Sequence, residues 1–71
     1  MKGRLFTLVS AEDEKMVFAW GMEITTPNEQ EAVTYCRDPA TNQTVFGLHR
    51  NAESALRRYG RTLQLRLVWE D

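Results

Sequence analysis

The chain has 71 residues, 42% of them hydrophobic and 27% charged, with a formal net charge of −1. That length suits one domain, residues 1–71, and the composition is that of a globular chain rather than a disordered one. A lone cysteine, Cys36, excludes an intramolecular disulfide framework. No apolar run approaches the roughly 20 residues of a membrane helix, and the N-terminal apolar run is too short for a signal peptide core. The expectation is a reduced, cytoplasmic protein with no membrane contact.

Arg4 to Ser10 holds Leu5, Phe6, Leu8 and Val9, a short apolar run that reads as a strand. Ala11 to Lys15 is a charged turn. Phe18, Trp20, Met22 and Ile24 then alternate with Val17, Ala19, Gly21 and Glu23. Period two predicts a second strand, paired to the first as a hairpin. Gly21 inside it marks a bulge or a close backbone approach.

Thr26-Pro27-Asn28-Glu29 carries two signals. Thr at N-cap, Pro at N1 and Glu at N3 form a capping box, which predicts a helix from Pro27 to Cys36. Val33, Thr34 and Tyr35 favour a strand instead. A single turn at Pro27 leading into a strand from Ala32 to Asp38 satisfies both. Asp38-Pro39 suits a type I turn, and Asn42 tolerates the left-handed region. Thr44 to His49 completes a second hairpin.

Asn51 is a good N-cap. Ala52, Ala55, Leu56 and Tyr59 follow at helical spacing, with Glu53 in the first turn and Arg57 and Arg58 in the last. A helix is predicted from Asn51 to Tyr59, with Gly60 as the C′ residue. Thr62 to Trp69 then alternates Leu63, Leu65, Leu67 and Trp69 with polar and smaller residues, which predicts a fifth strand. The expected fold is α+β, a mostly antiparallel sheet in the chain order β-β-β-β-α-β. The fifth strand lies beside the first, giving the sheet order 4-3-2-1-5, with one helix on one face.

Chemistry-bearing motifs are sparse. His49, the sole histidine, has no nucleophile elbow or orienting carboxylate beside it, and reads as a strand-end residue next to the helix cap. Cys36 and His49 together are too few ligands for a structural zinc site, and Cys36 reads as a buried thiol. Glu12-Asp13-Glu14 lacks the spaced ligands and glycine of a calcium loop. The four glycines form no phosphate-binding loop. The expectation is no enzyme, no metal and no cofactor.

Two surfaces remain. Arg50, Arg57, Arg58 and Arg61 flank the predicted helix and could contact phosphate. The acidic pI of about 5.8 argues against a nucleic-acid domain. The first two strands carry apolar residues on both faces, and one helix of about 13 Å cannot cover both faces of a five-stranded sheet. Trp20 and Trp69 are expected in the core, with Trp69 able to anchor an edge interface. The expected interface residues are Leu5, Val9, Val17 and Trp69. The function expected is a non-enzymatic protein-interaction module, with a protein partner or a second copy of itself. The alternative is a nucleic-acid-associated regulator using the Arg cluster.

Overall fold

Alternating side chains build most of this molecule. In the computed structural model, which describes residues 1–38 and 40–70, the elements run β1 Lys2–Ser10, β2 Val17–Thr25, β3 Gln30–Arg37, β4 Thr44–His49, α1 Ala52–Tyr59 and β5 Leu65–Trp69. The strands form one antiparallel sheet in the order β4-β3-β2-β1-β5. This is the α+β architecture and strand order expected from the sequence. The helix packs on one face, so α1 bridges from one edge strand to the other.

Directly paired residues share a face. Phe6 pairs with Gly21 and Trp69, Gly21 with Thr34, and Thr34 with Gly47. That row lies under the helix. The next row, Val68, Thr7, Trp20, Tyr35 and Phe46, lies on the opposite face. The core collects on the helix side: Phe6, Leu8, Ala19, Ala32, Cys36, Ala52 and Ala55 are buried, with Leu56, Tyr59, Leu65, Leu67 and Trp69 packed around them. Four of the seven are alanines, which let the helix come close to the sheet.

Gly21 is a close approach rather than a bulge. A Cβ there would stand 2.3 Å from the tip of the Phe6 ring, so the ring occupies the space that any side chain would need. The bulge lies one step further along the hairpin. Leu8 pairs with Ala19 but Val9 pairs with Val17, which leaves Phe18 as the extra residue. Strict period two would place Phe18 on the same face as Trp20. The bulge separates them, and Phe18 packs under the helix against Tyr59 at a centroid distance of 5.3 Å.

The ambiguous segment resolves as a turn followed by a strand. The Thr26 hydroxyl accepts the Glu29 amide at 3.0 Å, and the Thr26 amide donates to the Glu29 carbonyl at 2.8 Å. The hydroxyl half of the capping box is therefore used, while the Glu29 backbone carbonyl takes the place of its side chain, and the β propensity of the residues after it carries the chain into β3. Asn42 takes φ 60°, the left-handed conformation expected of it. The Asp38 amide donates to the Gln43 carbonyl at 2.9 Å and closes that loop. The Pro39 turn position lies outside the described residues.

The helix begins as expected. The Asn51 side chain accepts the Ser54 amide at 2.8 Å. A second cap comes from across the sheet, where the Glu23 carboxylate accepts the Ala52 amide at 2.9 Å. Gly60 differs from expectation. It is the C-cap at φ −74°, right-handed, not a left-handed C′ residue. Its N–H donates to the Leu56 carbonyl at 2.8 Å, and a Cβ at that position would lie 2.7 Å from the same oxygen. Crowding, not handedness, calls for glycine here. β5 starts at Leu65 rather than Thr62, because residues 61–63 complete a turn.

Candidate functional site

The face away from the helix carries a continuous apolar surface. Trp20, Tyr35 and Phe46 sit side by side on β2, β3 and β4. Trp20 and Tyr35 stand 6.3 Å apart at 53°, and Tyr35 and Phe46 5.4 Å apart at 66°. These tilted geometries are favourable for aromatic pairs. Leu5, Met22, Val33 and Leu48 form the neighbouring row, again as direct partners. Exposure is high: Phe46 77%, Leu48 66%, Leu5 56% and Trp20 51%. A contiguous row of this kind differs from the scattered exposed leucine of an ordinary surface. The Thr44 hydroxyl and then the Arg37 guanidinium beside the Tyr35 phenol hold its pKa below the usual tyrosine range.

The expected interface residues separate. Leu5 stands on this open face. Val9 points to the same side but is buried, flanked by Val17 and Arg66. Val17 is half-buried at the end of the face. Trp69 stands on the helix side, edge-on to Phe6 at 5.7 Å, with the Arg4 guanidinium 3.9 Å from its ring centroid. Trp20, expected in the core, is the exposed tryptophan. Phe46 and Leu48, absent from the expected interface, belong to it as well, and their alternation with Gly47 is the signal in the sequence that marks them.

The arginines do not gather. Arg50 precedes the helix beside Glu29 and Glu31, whereas Arg57 and Arg61 lie at its far end near Leu56 and Leu63. An eight-residue helix spans about 12 Å, so the two groups form separate patches, and the first contains carboxylates. Arg58 lies near His49, where its charge acts on the imidazole.

One polar cluster lies under the helix. The Thr34 hydroxyl is hydrogen bonded to His49 Nε2 at 3.1 Å and to the Tyr59 hydroxyl at 3.2 Å. Thr34 is 2% exposed, so its hydroxyl is closed to a substrate. The cluster ties β3, β4 and α1 together. Cys36 shares this face but is four residues from Ala32, the strand partner of His49, about 13 Å along β3. Burial, with Asp38 adding to it, raises the Cys36 pKa and keeps the thiol protonated. Among the described residues, no group of three His, Cys, Asp or Glu side chains could hold a metal ion. No described helix is long and apolar enough to cross a membrane.

Burial, and after it the Arg58 charge, lowers the His49 pKa below 6.5. The unfolded chain then binds a proton that the folded protein does not. Stability is therefore full above about pH 6.5 and falls as the pH drops below it, through the folded pKa. The expected result is a melting temperature that declines as the pH falls below about 6.5, with His49→Gln removing that part of the decline. Identical profiles for the two proteins would count against this account.

Comparison with family models, with curated proteins and with solved structures finds no match for this chain.

Proposed function

We propose that the protein is a small non-enzymatic interaction module that binds a protein surface through the open sheet face. The observation that supports this reading is the Trp20–Tyr35–Phe46 row, with Trp20 and Phe46 exposed and Tyr35 half-buried between them, on the sheet face that the helix leaves open. Exposed aromatic side chains held in a rigid row lose little conformational entropy on binding, and they are the residue types that anchor interfaces. The nucleic-acid reading has weaker support, because the arginines are divided between the two ends of the helix and Glu29 and Glu31 neighbour one of the groups.

Site-specific photo-cross-linking in the cells that make the protein tests this. A benzophenone side chain replacing Phe46 should give a defined adduct, whereas one replacing Glu53, exposed on the helix, should not. Equal labelling from both positions, or an adduct from Glu53 alone, would overturn the reading.

A further inference from the structure

We infer that the occupant of the open face is a second copy of this chain, stacked face to face and end for end, so that Arg37 and Arg66 meet Glu31 and Glu70 of the partner copy. This rests on the reading of the open face as an interaction surface and adds the identity and orientation of what covers it.

The charges on this face are ordered. β3 presents Glu31, Val33, Tyr35 and Arg37 to the open side, an acid at one end and a base at the other with apolar residues between. β5 repeats the pattern at the sheet edge. Arg66 pairs with Val9, and Glu70 continues the alternation past Val68, its amide donating to the Leu5 carbonyl at 2.9 Å. Both arginines therefore lie at one end of the face and both glutamates at the other. The separations along the strands are about 20 Å on β3 and about 13 Å on β5.

A two-fold axis in the interface plane and perpendicular to the strands lays β3 on β3 and β5 on β5 with their ends exchanged. Arg37 then lies over Glu31 of the partner copy, and symmetry makes that pair twice. The axis runs at Thr34, the midpoint of Glu31 and Arg37, in the row of Gly21, Phe6 and Trp69. The midpoint of Arg66 and Glu70 is Val68, one residue from that row, so Arg66 falls two residues, about 7 Å along the strand, from Glu70 of the partner copy, a gap these long side chains can span. An axis parallel to the strands would stack the arginine ends on each other, which like-charge repulsion disfavours. Arg66 also pairs with Glu14 of its own chain, but both side chains are largely exposed and Arg66 has further donors to offer. Arg50, at the glutamate end, falls opposite Thr44, the strand partner of Arg37, and so stands one strand away from Arg37 of the partner copy, which opposes part of the attraction.

The size also suits a second copy. Five strands at about 4.8 Å spacing and about six residues deep give a face on the order of 500 Å² in projection. The accessible area of a side-chain surface exceeds its projection, so a full stack comes near the roughly 600 Å² per partner at which stable interfaces begin. Aligned sheets pack in this way with a rotation of about 30° between them.

Sedimentation equilibrium of the purified full chain tests the arrangement. The wild type is expected to dimerise, and Phe46→Asp to be monomeric with an unchanged circular dichroism spectrum, since Phe46 is 77% exposed. E31R and R37E should each weaken the dimer by about tenfold or more, because each sets like charges together twice. The double variant E31R/R37E should return to within about threefold of the wild type. A wild type that stays monomeric, or single variants that dimerise as tightly as wild type, would overturn the inference. If the wild type is monomeric and the Phe46 cross-linker still captures a chain of another mass, only the second copy is excluded. If it captures nothing, the interaction reading fails as well.

Discussion

Phe6→Ala is expected to remove most of the stability of this protein. Phe6 is 1% exposed, and its ring lies over Gly21 with the edge of Trp69 against it. Truncating a buried phenylalanine costs about 3–5 kcal/mol, counting both lost transfer energy and the cavity left behind. A chain of this length has about 4–11 kcal/mol in total. The variant should melt at least about 12 °C lower, or be unfolded at 25 °C. The glycine beneath the ring supplies the control. Gly21→Ala puts a Cβ 2.3 Å from the ring tip and should cost about 1–3 kcal/mol or more by overpacking. Combining Gly21→Ala with Phe6→Leu removes the collision, so the pair should be more stable than the sum of the two single changes. Urea denaturation of the four proteins reads this directly. Simple additivity would show that ring and glycine do not share the space as described.

Gly47→Ala is expected to have the next largest effect. A Cβ there would lie 2.6 Å from His49 Nε2, the Thr34 hydroxyl and the Tyr59 hydroxyl alike. All three belong to one hydrogen-bonded cluster, so none can yield without disturbing another. Overpacking together with broken buried hydrogen bonds amounts to about 2–4 kcal/mol. Because Tyr59 is the inward residue of the last helical turn, the loss should be local first. Amide exchange in residues 52–59 should accelerate more than exchange in β1. The pH dependence assigned to His49 should shrink in the same variant, as the imidazole becomes more exposed. Unchanged helix protection would show that the cluster does not hold the helix on the sheet.

These effects mark what could and could not be read from the residues in order. Helix α1 was legible because its signals are local: Asn51 at the cap, inward residues at helical spacing, and charges matched to the dipole. The first hairpin was legible from alternation, but β3 was not, because the capping signature at Thr26 and Glu29 also fits a helix from Pro27 to Cys36. Gly21 was legible as a special position, but its cause was not, since Phe6 lies 15 residues away. Gly60 marked the end of the helix correctly, and the reason was a crowded carbonyl rather than a left-handed turn. The bulge at Phe18 was invisible, because an extra residue in one strand is defined only against the register of its partner. That one residue moved Phe18 under the helix and left Trp20 outside.

Periodicity, capping and length act over a few residues, and from them come the element order and a helix too short to cover both sheet faces. The sheet order 4-3-2-1-5 rests on connection geometry instead, on the helix carrying the chain back so that β5 joins β1. Tertiary structure alone decided which side chains share that face. It placed Trp20 with Tyr35 and Phe46 in the open and turned Trp69 inward onto Phe6. It also joined Thr34 to His49 and Tyr59, and brought Glu23 to the amide of Ala52. The physical reason is register. Which residues meet across a sheet depends on where strands distant in sequence come into alignment, and a shift of one residue reverses the face of everything beyond it.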